Sequence, residues 1–131
     1  MSKDQDCIFC NKKNYQLLSS SKYFFIIRDT AYPVTKHHTL IITHRHISDF
    51  FDLTDEELND LSKILKIQKK ELLELDEKIS AFNVGVNIGK DAGQSIMHCH
   101  IHLIPRRKGD VEDPKGGVRG VIPSKQKYTK K

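Results

Sequence analysis

The hydrophobic positions of the chain repeat with two different periods, which predict strands in some segments and a helix in another. Residues 23–28 (YFFIIR) and 39–43 (TLIIT) are rich in aromatic and β-branched side chains, and this composition favours strands. Residues 82–88 (FNVGVNI) alternate strictly between apolar and small or polar positions, as a strand with one apolar face does. A further strand is predicted over residues 96–104, and Pro105 should end it. We therefore expect two antiparallel strand pairs.

One long amphipathic helix is predicted between the two strand pairs. Thr54 and Glu57 have the spacing of a capping box, and leucine and isoleucine then recur at helical intervals without glycine or proline. The pattern continues to about Lys78, and a helix of this kind usually covers a sheet. Strands and helix together predict an α+β domain, and 131 residues are the size of one domain.

Composition and charge narrow the possible functions only a little. The chain has a net charge of +5, and residues 106–131 hold nine Lys/Arg against three acids, so the basic character belongs to the C-terminal end. Such an end is typical of a solvated tail or of contact with phosphate-rich ligands or nucleic acid. No segment is apolar enough to span a membrane, and residues 1–6 do not resemble a secretory signal, so we expect a cytoplasmic protein.

Three histidines at every second position make the strand at residues 96–104 unusual. On a strand, His98, His100 and His102 share one face, and the apolar residues between them, including Cys99, supply the core packing. Imidazole is the side chain whose ordinary pKa lies nearest neutrality, so a row of three predicts proton transfer, nucleophilic attack or metal binding. Asn87 lies on the polar face of the neighbouring predicted strand, opposite this row.

Two cysteines near the N-terminus indicate a second kind of chemistry. Cys7 and Cys10 form a Cys-x-x-Cys pair, which in a reducing compartment favours metal binding or redox chemistry over a structural disulfide. A redox pair usually stands at the start of a helix, and the residues after Cys10 have no helical pattern. Two cysteines supply half of the ligands that a tetrahedral metal site needs.

Together these motifs resemble the histidine triad family of nucleotide hydrolases and transferases. The segments GQS (93–95) and HCHIHLI (98–104) fit that family's His-x-His-x-His-x-x signature, and the likeness extends over nearly the whole chain. The continuation GDVEDPKGGVRGVIP resembles bacterial and archaeal members similar to diadenosine polyphosphate hydrolases. The resemblance implies an α+β fold with an antiparallel sheet of about five strands, one long helix packed on it, and a homodimer. It divides the chain into a domain at 1–110 and a basic extension at 111–131.

The resemblance also implies a role for each residue of the site. His100 is the implied nucleophile, which attacks the α-phosphate of a purine nucleotide to give a covalent nucleotidyl-histidine that water hydrolyses. The implied substrate contacts are Asn87, Gly93, Gln94, Ser95, His102 and Asp29. The implied ligands of a structural zinc are Cys7, Cys10, His46 and His98. His44 is a rival ligand, and the implied reaction needs no catalytic metal.

A few positions depart from the family's usual pattern. Members usually have glycine where His37 stands. The acidic residue that binds ribose usually lies three positions before the proline, where Thr30 stands, and Asp29 is one residue further away. The chain has no tryptophan, so stacking on a base would fall to a residue such as Phe25.

The favoured interpretation is a hydrolase that cleaves dinucleoside polyphosphates, such as diadenosine tetraphosphate, or nucleoside phosphoramidates. One alternative is a phosphorylase or nucleotidyltransferase, in which phosphate takes the nucleotidyl group from His100. A second is a zinc-dependent nucleic-acid-binding module, which the cysteine pair and the basic tail suggest but which leaves the three histidines unexplained. A third is a catalytic zinc bound by the three histidines themselves.

Overall fold

The computed structural model describes residues 7–128, so residues 1–6, on which the expectation about a secretory signal rests, lie outside the described part. The main elements are β1 (Ser19–Ser20), β2 (Phe24–Arg28), β3 (Thr39–Thr43), α1 (Asp55–Leu75), β4 (Ile79–Gly85) and β5 (His100–Arg107). The strands form one sheet in the order β1-β2-β3-β5-β4, and every neighbouring pair is antiparallel. The predicted α+β fold, with five strands and one long helix, is confirmed.

Helix α1 begins where the capping box predicts. The Thr54 hydroxyl accepts the backbone N–H of Glu57 at 3.1 Å, and the Glu57 carboxylate accepts that of Thr54 at 2.8 Å. The helix ends at Leu75, before the predicted Lys78, because Asp76 is extended and its side chain accepts the N–H of Lys78. Among residues 7–128, no helix is both long and apolar enough to cross a membrane.

The sheet has two apolar faces, and α1 covers one of them. The core on that side contains Phe24, Ile26, Ile41, Cys99 and Ile101, which pack with Leu61 and Ile64 of α1. The opposite face carries Phe25, Ile27, Leu40 and Ile42, which pack with Phe9 from the N-terminal segment. His100 pairs with Ile42 and His102 with Leu40, so both histidines lie on the face away from the helix.

Strand β5 differs from the prediction at both ends. It begins at His100, because the N–H of Cys99 bonds instead to the carbonyl of Ile47, outside the sheet. It continues through Pro105 because the pairing with β3 has already ended at Leu103. The missing N–H of proline is tolerated at such an edge, and the Pro105 carbonyl accepts the hydroxyl of Thr35 at 2.7 Å. His98 therefore lies just before the strand.

Strand β4 also starts and ends earlier than predicted. It pairs with β5 up to Gly85, which lies opposite His102, and Asn87 follows beyond the end of the strand. The predicted alternation of faces still holds where the strand is paired, because Asn83 shares the histidine face with Gly85.

The C-terminal extension is folded as far as the structure describes it. Short 3-10 helices form at Gly117–Val121 and Pro123–Lys125. Arg119 donates to the carbonyls of Lys125 and Gln126, at 2.9 and 3.3 Å, which ties the two turns together. Gly117 lies beside the side chain of Asn83, so the extension meets the sheet on the histidine face.

Candidate functional site

His100 stands at the start of β5 with a defined ring orientation. Its Nδ1 lies 2.8 Å from the carbonyl oxygen of His98, and because a carbonyl only accepts, Nδ1 carries the hydrogen. The lone pair of the neutral ring is then on Nε2. Burial lowers the pKa of His100 below its ordinary 6.5, against the opposing effect of the hydrogen bond to His98. A neutral imidazole with its lone pair on Nε2 is the form that can attack an electrophile.

His102 is held by a histidine that lies 64 residues earlier in the chain. The N–H of Val34 donates to Nδ1 of His38 at 3.0 Å, so the hydrogen of His38 is on Nε2. That nitrogen donates to Nδ1 of His102 at 2.9 Å, and the hydrogen of His102 is therefore on its own Nε2. Burial, followed by the proximity of His100 and His38, lowers the pKa of His102 to about 4. His102 is thus a neutral N–H donor.

Asp29 lies behind His38 in this arrangement. One carboxylate oxygen accepts the backbone N–H groups of Ala31 and Tyr32, and the other is 3.9 Å from Nδ1 of His38. Thr30, its neighbour at the family's usual acidic position, is exposed. The structure therefore brings Asp29, and not Thr30, to the group of histidines.

Four side chains converge as the zinc prediction requires. One ligand atom from each of Cys7, Cys10, His46 and His98 lies within 4.8 Å of the other three. The Sγ of Cys7 is 3.3 Å from Nδ1 of His98. The Sγ of Cys10 is 3.1 Å from Nδ1 of His46, and the two Nδ1 atoms are 3.2 Å apart. A tetrahedral zinc with ordinary Zn–S and Zn–N bonds separates its ligand atoms by about 3.3–3.8 Å. The set fits such an ion closely.

The protonation of His98 also suits a metal. Its Nε2 lies 2.7 Å from the carbonyl oxygen of Thr43 and therefore carries the hydrogen. Its Nδ1 then directs a lone pair toward the cysteine sulfurs, and a backbone carbonyl that accepts from the other ring nitrogen is what usually fixes a zinc-binding imidazole. His98 is fully buried, so this orientation is built into the core.

The two rival metal arrangements do not form. His44 donates from Nε2 to the carbonyl of Ser21 at 2.9 Å, and its Nδ1 is 2.6 Å from the ammonium of Lys12, so both of its ring nitrogens have partners outside the cysteine cluster. The three histidines of the signature do not share a metal either. His98 turns toward the cysteines, whereas Nδ1 of His102 is bonded to His38.

Gln94 shapes the loop that precedes β5. Its Oε1 accepts the N–H of Gly89 at 2.9 Å, and its Nε2 donates to the carbonyls of Ser48 and Ile96 at 2.9 and 3.2 Å. The side chain is buried, so its amide is engaged within the protein on both sides. A direct contact between this amide and a substrate would need one of these bonds to break.

The other predicted substrate contacts lie around the same loop. Gly93 has a φ of 97°, in the left-handed region that favours glycine. Ser95 is exposed at the end of the loop, and Asn87 is half-buried in the segment that enters it. The structure thus places these three residues on the connection between β4 and β5.

The arginines at the end of β5 are engaged within the chain. Arg106 makes two bonds to the carboxylate of Asp110, at 2.8 and 2.9 Å, and a third to the amide oxygen of Asn83 at 2.7 Å. This guanidinium holds the pKa of the Asp110 carboxyl well below its usual range. Arg107 bonds to Asp76 at 2.9 Å. These contacts give both arginines a structural role.

Two of the departures from the family pattern have structural consequences. His37 has a φ of 74°, so a histidine occupies a left-handed position where family members usually have glycine. Phe25 is fully buried, and the ammonium of Lys12 lies 4.8 Å from its ring centre. The expectation that Phe25 stacks on a base is therefore wrong.

Two residues of the site have no role in the sequence-based prediction. His38 immediately precedes β3, and nothing local to it indicates a bond to His102. Phe9 lies between the two cysteines, and its ring centre is 5.0 Å from that of His100. The signal that could have found Phe9 is a large apolar residue inside an otherwise polar metal-binding motif.

Comparison with known proteins gives a consistent result. Residues 11–109 match the HIT domain family. The chain is 39% identical over 82 residues to the asymmetrical bis(5'-nucleosyl)-tetraphosphatase of Schizosaccharomyces pombe, and the match covers 62% of this chain and 44% of that protein. It is 34% identical over 119 residues to an adenosine 5'-monophosphoramidase of Saccharomyces cerevisiae, covering 88% of this chain and 68% of that one. The chain thus spans less than half the length of the first of these relatives.

One solved structure shares the fold over nearly the full length of both chains. The chain is similar to the crystal structure of a zinc-bound histidine triad family protein from Mycobacterium smegmatis, with a TM-score of 0.73 and 25% identity. The match covers 92% of this chain and 94% of that one.

Proposed function

The chain belongs to the HIT domain family, and from that premise we propose that it is a nucleotide phosphohydrolase with His100 as its nucleophile. The proposed substrates are purine nucleotides with a leaving group on the α-phosphate, either dinucleoside polyphosphates such as diadenosine tetraphosphate or nucleoside phosphoramidates. The observation that carries the proposal is the 2.8 Å bond from Nδ1 of His100 to the His98 carbonyl. It leaves the lone pair of a neutral, buried ring on Nε2.

In the first proposed step, Nε2 of His100 attacks the α-phosphorus. A P–N bond forms while the bond to the leaving group breaks; a nucleoside polyphosphate leaves as an anion, and an amine takes up a proton from solvent. The Nδ1–H of His100 stays bonded to the His98 carbonyl, which stabilises the positive charge that the ring acquires. The Nε2–H of His102 donates to a phosphate oxygen, where negative charge develops.

In the second proposed step, water attacks the same phosphorus. The P–N bond breaks, the nucleoside monophosphate leaves, the ring of His100 becomes neutral again, and the proton of the water passes to solvent. We propose no catalytic metal, because the groups that act in both steps are His100, His102 and the loop before β5.

The remaining predicted contacts fit this reaction as a set. We propose that Ser95 and the backbone around Gly93 hold phosphate oxygens, and that Asn87 reaches the same phosphate or the ribose. Asp29 would bind the ribose, since its carboxylate lies beside His38. Gln94 contributes by holding the loop in shape.

We also propose that the four-residue cluster of Cys7, Cys10, His46 and His98 binds one structural zinc. The ligand separations and the hydrogen bond from His98 to Thr43 support this assignment. Bound zinc would supply a crosslink between the N-terminal segment and the start of β5. We also propose a cytoplasmic setting, in which both thiols stay reduced, as a thiolate site requires.

The assembly and the domain boundary are proposals of the same kind. Among the described residues, β4 pairs with β5 on one side only, and Val84 on this strand is 48% exposed. A second copy of the chain would cover such an edge, and we propose a homodimer formed there. A boundary near residue 110, between a catalytic domain and the basic extension, agrees with the family match to residues 11–109.

A nucleotide panel tests the proposed reaction. Wild type and His100→Ala are incubated with diadenosine tetraphosphate and with an adenosine phosphoramidate, and the products are identified by chromatography. We expect wild type to release AMP and His100→Ala to lose activity by about a thousandfold or more. Retention of wild-type AMP release by His100→Ala would contradict the proposal.

The same panel separates the alternatives. With inorganic phosphate added, formation of ADP would identify a phosphorylase or nucleotidyltransferase instead of a hydrolase. A nucleic-acid-binding module would show tight, salt-sensitive binding of RNA or DNA without turnover of any nucleotide. Two of the basic residues count against this alternative, because Arg106 is paired with Asp110 and Arg107 with Asp76.

A further inference from the structure

Phe9 connects the segment that carries the two cysteines to the core of the sheet. It is the last residue before Cys10 in the Cys-x-x-Cys segment, and its side chain is only 3% exposed. Its ring packs on the face of the sheet away from α1, against the core cluster of Phe25, Ile27, Leu40 and Ile42. Ile8, its neighbour in the same segment, is 48% exposed. The segment that carries the cysteines therefore inserts one aromatic side chain into the sheet.

The ring of Phe9 contacts the proposed nucleophile directly. Its centre is 5.0 Å from that of the His100 ring, with an interplanar angle of 69°, and 5.9 Å from that of His98, at 88°. Edge-to-face contacts at these distances are favourable and restrict rotation of the rings. A rotation of the His100 ring by 180° about its Cβ–Cγ bond would place Cδ2 where Nδ1 stands and Cε1 where Nε2 stands, and the contact with Phe9 opposes that rotation.

His98 provides a second connection between the cysteine segment and His100. The imidazole of His98 belongs to the four-residue cluster, whereas its backbone carbonyl accepts the Nδ1–H of His100. The same residue is thus fixed at both ends, by the cysteines and Thr43 through its ring and by His100 through its carbonyl. A displacement of the cluster would move the acceptor that sets the tautomer of His100.

We propose that Phe9 is a positioning residue, which couples the state of the four-residue cluster to the orientation of the His100 ring. With the cluster intact, Phe9 and the His98 carbonyl together keep Nε2 of His100 turned toward the substrate. When the cysteine segment is released, the ring of His100 loses its contact with Phe9 and can rotate. The inference rests on the proposed function, because it assumes that His100 is the nucleophile.

A purely structural role for Phe9 makes different predictions. A buried core phenylalanine that only packs would lower thermal stability when truncated, and the folded fraction would keep its kcat. A residue that only contacts the substrate would change KM. A positioning residue lowers kcat and alters the tautomer of His100 even when substrate is absent, because a small misplacement of a reacting group can reduce a rate by about a hundredfold.

The test compares Phe9→Ala and the less drastic Phe9→Leu, which keeps a branched apolar side chain, with Ile8→Ala, which changes the exposed neighbour. All variants are loaded with zinc, and metal content and thermal unfolding are measured first. We expect Phe9→Ala to lower kcat by about tenfold or more with little change in KM. Phe9→Leu should show a smaller loss, and Ile8→Ala should stay within about twofold of wild type. A folded, zinc-loaded Phe9→Ala or Phe9→Leu with wild-type kcat, or with only KM changed, would overturn the proposal.

A measurement without substrate tests the coupling between the four-residue cluster and the His100 ring independently of the proposed reaction. Nitrogen-15 NMR of the histidine rings in wild type reports which nitrogen of His100 carries the hydrogen, and His100→Ala identifies its signals. We expect the Nδ1–H form with zinc bound and a mixture of tautomers after removal by a chelator. An unchanged His100 spectrum would overturn the coupling even if the enzyme is active. If His100→Ala were fully active, the proposed function would fail instead.

Discussion

Nε2 of His38 donates to Nδ1 of His102 across 2.9 Å, which joins two histidines that are 64 residues apart. The N–H of Val34 on the other nitrogen of His38 fixes the direction of this bond. Burial lowers the pKa of both histidines, so both rings are neutral near pH 7. The bond therefore keeps His102 in the tautomer whose Nε2–H can donate to a phosphate.

We predict that replacing His38 by phenylalanine lowers kcat by about 10- to 100-fold, the loss typical when the partner that orients a functional histidine is removed. The reason is that Nδ1 of His102 loses its donor and the ring can adopt the other tautomer. His38→Gln can still present an N–H near the former Nε2 and should recover part of the rate. Steady-state kinetics of both variants check this, and equal activities of His38→Phe and wild type would rule it out.

The low pKa of His102 predicts a loss of stability on mild acidification. In the unfolded chain this histidine takes up a proton near pH 6.5, whereas in the folded protein its pKa is about 4. Between these values the unfolded state binds more protons, so the free energy of unfolding falls as the pH drops from about 6.5 toward 4. His102→Gln lacks this contribution. Urea unfolding of zinc-loaded protein at about pH 7.5 and about pH 5 should show a smaller loss for the variant; equal losses would contradict the shift.

Zinc should stabilise the fold through the four-residue cluster. At a thousandfold excess of metal over its Kd, binding adds about 4 kcal/mol to the free energy of unfolding. For a chain of this size, that corresponds to roughly 10–20 °C in Tm. His46→Ala should lose both the bound zinc and this increment, whereas His44→Ala, two residues away but outside the cluster, should keep them. Metal analysis and calorimetry with and without chelator measure both effects. If His44→Ala lost zinc and His46→Ala kept it, the proposed ligand set would be wrong.

The left-handed backbone of His37 predicts a stabilising substitution. A side chain at φ 74° raises the energy of the native state by roughly 1–2 kcal/mol relative to glycine, which tolerates this conformation. Part of that gain is offset by the greater freedom of glycine in the unfolded chain. We expect His37→Gly to raise the free energy of unfolding by about 0.5–1 kcal/mol, and His37→Ala to give no such gain. A less stable His37→Gly would show that the ring of His37 makes a compensating contact.

Much of the fold follows from local patterns in the sequence. Strand β3 lies at Thr39–Thr43 as predicted, because its β-branched residues are buried on both faces. Helix α1 begins after Thr54 because the capping box is a local signal. The ends of β4 and β5 differ from the predicted ones because the limits of a strand depend on its partner. Gly85 is the last paired residue of β4, although the alternation of apolar positions continues beyond it.

The metal cluster could be predicted from the sequence, whereas the pairing of His38 with His102 could not. Cys7, Cys10, His46 and His98 came together as the family resemblance implies, since each ligand stands in a recognisable motif. The role of His38 depends on a contact between the turn before β3 and the middle of β5, which no spacing within either segment encodes. Phe9 is a similar case, because its contact with His100 arises only when the cysteine segment folds onto the sheet.

The most direct test of the central proposal is detection of the covalent intermediate on His100. Wild-type protein is mixed with diadenosine tetraphosphate or an adenosine phosphoramidate, quenched within a single turnover, digested and analysed by mass spectrometry. We predict one adenylyl group on the peptide that contains His100, attached to that residue, formed and lost at rates no slower than kcat, and missing from His100→Ala. Turnover of either substrate by wild type without this adduct, or with the adenylyl group on another residue, would contradict the proposal.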